Sequence, residues 1–272
     1  MQNEILKYFL KNKKFIFYFS TCFFLAGVVT SLSLPILYRS SATLFPTSIS
    51  EMNSSGNSGL TSLLNLTSSS DSKTNKHFSI LNSEDFIYAY LFSSGFIEEL
   101  YEIKKNDEGE YVFQPNKNQA VKKFKTKFTS VYDVTKSEVK FYLITSSPTT
   151  AADYLNEFIY FLNKEIIARE VISAKKNINY LLTYSPPINS NYNLELNQSI
   201  AALLTNETKK IMLAETNPYY AFEIIDSPSL PSNKYKPNRT FIVLTFGFLG
   251  VLSSFIFLIF TNKDIRRKII DL

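Results

Sequence analysis

Residues 15–37 read FIFYFSTCFFLAGVVTSLSLPIL, and residues 240–262 read TFIVLTFGFLGVLSSFIFLIFTN. Neither stretch carries a charge. Lys14 and Arg39 bracket the first; Arg239 and Lys263 bracket the second. As a helix each would run roughly 34 Å, enough to cross the apolar core of a bilayer. A chain with a span near each end hands everything between them to one side of a membrane. The expected organisation is therefore a tail at 1–14, a transmembrane helix at 15–37, one domain at 38–239, a second transmembrane helix at 240–262 and a tail at 263–272.

Charge assigns the sides. Lys7, Lys11, Lys13 and Lys14 face only Glu4 before the first span. Lys263, Arg266, Arg267 and Lys268 face Asp264 and Asp271 after the second. These tails account for the whole net charge of +5, so the middle is neutral. Basic tails predict cytoplasmic termini and an extracytoplasmic middle domain, despite Arg39, Lys234, Lys236 and Arg239 on the outer flanks. A basic face on the folded domain is not expected, which argues against nucleic acid as a partner. The first span is too long for a signal peptide, and no small-x-small cleavage pattern follows it. Cys22 is the single cysteine and lies inside the span, so no intrachain disulfide can form.

Between the spans the reading is α+β. Tyr38 to Phe45 alternates like a strand leaving the membrane, and Tyr219 to Ile225 is strand-like on the way back, so the two are natural partners in one sheet. Thr47 to Asn75, rich in Ser, Asn and Thr, reads as a mobile loop with a short helical turn at Leu60 to Leu66. Asn82-Ser83-Glu84-Asp85 opens a helix presenting Phe86, Ile87, Tyr90 and Leu91 to a core. Short helices are expected at Phe96 to Ile103 and Asn118 to Phe128. Ser130 to Val134 and Val139 to Thr145 read as a hairpin turning at Asp133 to Ser137. Pro148 opens the longest helical pattern, which ends before Pro186-Pro187. Ala152, Leu155, Ile159, Leu162 and Ile166, then Val171, Ala174, Ile178 and Leu181, form a coiled-coil-like stripe on it. A second helix from about Asn193 to Glu215 carries Leu196, Ile200, Leu203, Ile211 and Ala214 along one side. The expected domain has a base (38–147 and 217–227), a helical hairpin (148–216) rising from it and a proline-rich connector (228–239).

Catalytic chemistry has little to work with. His77, the one histidine, reads as a loop bystander. With one His and one membrane-buried Cys, zinc sites and Cys/His or Ser/His/Asp arrangements cannot be assembled within one chain. There is no glycine-rich phosphate loop. Glu84-Asp85 and Glu98-Glu99 sit on short amphipathic helices and read as solvated faces. No catalytic residue, metal or cofactor is expected.

The informative cluster precedes the second span. Pro228, Pro231 and Pro237 punctuate a stretch read as a stiff extended connector that sets the domain's angle to the bilayer. Within the spans, Gly247, Gly250 and Ser254 make one small-residue face and Gly27 and Ser31 another. Small faces let helices approach closely. These eight residues are the candidate connector and assembly positions.

Four segments carry a resemblance, in order along nearly the whole chain. They are Pro35-Ile-Leu-Tyr-Arg39 with Ser41-Ala42; Ile80-Leu-Asn-Ser-Glu-Asp-Phe86; Ser147-Pro148 opening a helix with Ala151, Ala152 and Asn156; and Leu213-Ala-Glu-Thr-Asn217 through Tyr220-Ala-Phe-Glu-Ile-Ile-Asp226, followed by the prolines and a glycine-bearing span. The chain resembles the Wzz-type chain-length determinants, or polysaccharide co-polymerases. That resemblance implies a bacterial inner-membrane protein with an α/β periplasmic base and a projecting helical element. It implies a ring-like homo-oligomer without catalytic residues, associating through base and helices. Its implied role is to set the modal length of O-antigen lipopolysaccharide beside a Wzy-type polymerase, in contact with the growing lipid-linked polysaccharide and membrane lipid. The hairpin here is short for the family. The alternatives are a co-polymerase for capsule or exopolysaccharide export, and a two-span periplasmic sensor or scaffold.

Overall fold

Proline 35 shapes the first element. In the computed structural model, which describes residues 10–47, 70–103, 115–133, 135–184 and 194–261, helix α1 spans Lys13–Ser33 and Leu34 is already extended (φ −75°, ψ 133°). Proline disfavours the helical region for the residue before it, so the helix stops short of the expected Leu37. Strand β1 follows at Tyr38–Pro46. The chain then forms α2 (Ser70–Leu81), α3 (Glu84–Ser93), α4 (Phe96–Tyr101), α5 (Lys117–Lys127), β2 (Phe128–Asp133), β3 (Glu138–Thr145), α6 (Pro148–Tyr184), α7 (Leu194–Thr216), β4 (Phe222–Asp226) and α8 (Arg239–Thr261). The chain divides into two compact units, residues 1–38 with 233–272, and residues 39–232.

In the first unit α1 and α8 pack against each other. Both are long and apolar enough to cross a membrane. Gly27 lies against Phe246, Gly247 against Phe24 and Gly250 against Phe23, while the Phe257 ring stacks on Phe15. Rising numbers on one helix meet falling numbers on the other, so the pair is antiparallel. Ser33 and Arg239 thus share one end of the pair, and the intervening chain leaves and returns there.

In the second unit four strands form one sheet in the order β2-β3-β1-β4. β1 and β4 pair antiparallel, as the sequence predicts, with Leu44 opposite Ile224 and a register shift between Thr43 and Leu44. β2 and β3 pair antiparallel from Phe128 opposite Leu143 to Asp133 opposite Glu138. Alternation along β3 buries Val139, Phe141 and Leu143, and along β1 it buries Ala42 and Leu44. Helices α2 to α6 and the start of β4 supply the rest of the core, much of it aromatic. The Tyr90 and Phe158 rings meet nearly edge-on at 4.9 Å, and Phe96 meets Phe124 the same way at 5.7 Å.

Local signals explain the boundaries. The Asn116 side chain accepts from the Asn118 amide and opens α5. Gly95 sits at φ +71° between α3 and α4, where a β-carbon would be strained. Glu102, also left-handed, ends α4 two residues before the expected Ile103. On α6, Leu155, Ile159, Leu162, Ile166 and Ala174 are buried, and the helix continues alongside α7. Leu196 departs from the expected stripe and is exposed. The largest difference is α2, which occupies Ser70–Leu81 where the composition predicts loop as far as Asn75. The turn at Leu60 to Leu66, Pro186-Pro187, Val134 of the hairpin turn and most of both tails lie outside the described residues.

Candidate functional site

The small residues of the terminal helices meet within one chain. A β-carbon on Gly27 would stand 2.6 Å from Phe246 Cβ, and one on Gly250 would stand 2.7 Å from Phe23 Cβ and 3.1 Å from Ser20 Cα. Gly247 is looser, its nearest neighbour being Phe24 Cδ2 at 3.5 Å. Ser31 and Ser254 are buried on the same helices. Aromatic side chains therefore fill the notches that the glycines leave, and these faces are spent on the intrachain pair.

At the Ser33 end of that unit the backbone is clamped. Leu37 N–H donates to Lys236 C=O (2.9 Å), and Tyr235 N–H donates to Leu37 C=O (2.8 Å). Pro237 follows a cis bond and is half-buried. The Asn238 side chain then accepts from the Phe241 amide at 3.3 Å, starting α8. Lys234, Lys236 and Arg239 lie in this clamped segment.

The first half of the expected proline-rich connector is paired with β1. In the second unit, Ser229 is sewn to β1. Its N–H donates to Ser41 C=O (2.9 Å), its C=O accepts from Ser40 Oγ (2.7 Å), and its Oγ accepts from the Ser41 amide (3.2 Å). Pro228 and Pro231 flank this stitch and are half-buried. Prolines lack the donor a longer ladder needs, so pairing is confined to Ser229 between them.

The polar centre of the second unit is Asn163, which is fully buried on α6. Its Oδ1 accepts from the amides of Ala221 (3.0 Å) and Phe222 (2.9 Å), and its Nδ2 donates to the carbonyls of Phe222 (3.2 Å) and Ile159 (3.1 Å). One side chain thus bolts the long helix to the start of β4. The sequence analysis passes over it. The available signal is its position between Leu162 and Ile166 on the apolar stripe.

Beside it, the Tyr220 hydroxyl is buried with no hydrogen-bond partner among the described residues. Burial, then the Glu170 and Glu207 carboxylates, push its pKa up to about 12. Those carboxylates are held by Lys76 (2.5 Å) and Lys210 (2.6 Å) respectively. Tyr220→Phe removes a stranded donor and should stabilise the domain by about 1 kcal/mol. A higher denaturation midpoint is the expected reading, and a lower one would overturn it. The phenol's ordinary value is 10.0. The unfolded chain therefore ionises first, and stability falls as pH rises from 10 towards 12. The variant should flatten that alkaline limb.

The remaining candidates resolve into structure. His77 is not a loop residue: it is buried on α2 with its ring edge-on to Phe222 at 5.9 Å. Glu99 is not merely solvated. Its Oε1 accepts from the amide (3.1 Å) and hydroxyl (2.5 Å) of Ser146, fixing the turn into α6. Asp85 pairs with Lys117, whose ammonium holds the carboxyl below its usual range. Among the described residues no three His, Cys, Asp or Glu gather where they could hold a metal ion.

No family model matches the chain, and no curated protein matches it. Among solved structures it is similar to a full-length bacterial polysaccharide co-polymerase, at 10% identity and a TM-score of 0.45, over 94% of this chain and 96% of that one. It is also similar to a fragment of WzzB, a polysaccharide co-polymerase from Salmonella Typhimurium, at 13% identity and a TM-score of 0.33, over 74% of this chain and 100% of the fragment.

Proposed function

We propose that this chain is a two-span bacterial inner-membrane protein that regulates the length of a surface polysaccharide without catalysing its synthesis. The observation that carries this reading is the antiparallel α1–α8 pair, which makes residues 39–232 a single insertion leaving and returning at one end of two apolar helices. The ordered segments from Pro35 to Asp226 support the regulatory role through their family resemblance. The basic tails support cytoplasmic termini and a periplasmic domain.

On this reading the protein acts on O-antigen as a ring-like homo-oligomer beside a Wzy-type polymerase, holding the growing lipid-linked chain. Deleting the gene and running extracted lipopolysaccharide on a gel tests it. Modal banding should disappear and return on complementation. An unaltered ladder sinks the O-antigen role. A changed capsule or exopolysaccharide size with that ladder intact would move the activity to the export branch. No change in any glycan would leave a two-span sensor or scaffold.

A further inference from the structure

The described residues of the first unit contain no carboxylate side chain. At the Ser33 end they hold three cations within six residues, Lys234, Lys236 and Arg239. Positive charge there runs against the bias that keeps Lys and Arg on the cytoplasmic side, given the orientation proposed above. Arg239 also opens α8, where the helix dipole is positive and a cation is disfavoured. None of the three has an acidic partner among the described residues. Lys236 Nζ lies over the Tyr235 ring at 5.1 Å, and Arg239 Nε is shielded from water without a hydrogen-bond partner among the described residues. The backbone carrying them is held by the Leu37–Lys236 and Tyr235–Leu37 hydrogen bonds, so the cations stand on a fixed strap.

Three cations at the mouth of an apolar helix pair, one with a stranded N–H, need an anion that sits at membrane depth. We infer that Lys234, Lys236 and Arg239 bind the phosphate of a lipid headgroup. The inference rests on the two-span reading and adds a ligand to it. The shared chemistry is a phosphate or diphosphate ester on a lipid, which a bilayer phospholipid or a polyprenyl diphosphate would both present.

The test uses the full chain in phosphatidylcholine bilayers containing a photoactivatable phosphatidylglycerol, with cross-linked peptides mapped by mass spectrometry. The basic N-terminal tail, Lys7 to Lys14, serves as an internal reference. Cross-links to 233–239 should exceed those from a photoactivatable phosphatidylcholine at least tenfold. K234Q/K236Q/R239Q should lose them at least tenfold, since each cation near an anionic surface contributes about fivefold in affinity. Cross-links to the tail should persist in the variant, and K175Q/K176Q on α6 should change neither. Displacement of the 233–239 signal by low polyprenyl diphosphate assigns the site to a lipid carrier; no displacement assigns it to bulk phospholipid. Tail cross-links without any at 233–239, or a triple variant indistinguishable from the parent, overturn the inference. Absence of both sets would instead sink the two-span reading.

Discussion

Gly250→Leu should pry the α1–α8 pair apart. A β-carbon at this position already falls 2.7 Å from Phe23 Cβ and 3.1 Å from Ser20 Cα, and the second neighbour is backbone that cannot swing aside. Leucine adds three further carbons to that clash. Overpacking of a fitted seam costs about 1–3 kcal/mol, and here the helices can relieve it only by separating. The expected result is a lower midpoint for detergent-induced unfolding followed by helical content. Gly247 provides the graded control, because its nearest neighbour at 3.5 Å is in ordinary contact and Gly247→Ala should be tolerated. Leu249→Ala, at an exposed position on the same helix, should change little. Equal midpoints for Gly250→Leu and Leu249→Ala would show that the seam does not depend on close approach.

Asn163→Leu should be the most damaging single change in residues 39–232. The side chains are similar in size, so packing is nearly conserved and the polar loss is isolated. Two amides and two carbonyls lose their partner, in a site with no exposure to water. The Ile159 carbonyl keeps its place in the helix ladder, so the main penalty falls on Ala221 and Phe222. A stranded buried group costs about 1–3 kcal/mol, which puts the expected loss at roughly 3–5 kcal/mol. That is a large share of the stability of an ordinary domain. Urea unfolding of the detergent-solubilised chain, followed by near-ultraviolet signals of the aromatic core, reads it directly. A loss below about 1 kcal/mol would mean that the β4 backbone finds other partners.

These two sites differ in how visible they are in the sequence. Glycines in an apolar span announce close approach, because nothing else explains a missing side chain where lipid would favour a large one. Asn163 makes no such announcement. A single asparagine on a long helix reads as part of the wet face, and only its place between Leu162 and Ile166 puts it on the buried stripe. His77 is misplaced for a related reason. Its neighbourhood is Ser, Asn and Lys, so local composition predicts loop, while Phe78, Ile80 and Leu81 dock the end of α2 on the core. Tertiary packing decides that helix, and packing is absent from a window of sequence. The end of α1 is misplaced at Leu37 because apolar run length overlooks the stop signal at Pro35. Ser229 was not, because which strand a serine will meet depends on a partner 188 positions away.

The pairing of α1 with α8 also sets an order of events during synthesis. On the two-span reading, Gly27 and Ser31 enter the membrane long before Phe246 is made. At about 5–20 residues per second, roughly ten to forty seconds pass before the partner of that first helix exists. For that interval the notches at Gly27 and Ser31 have only lipid or another protein against them. Residues 39–232 have emerged in full by then, so the helix pair closes only after the segment between its two helices has been made. A ribosome stalled anywhere before Arg239 leaves a chain anchored by one helix whose close-packing face is still open.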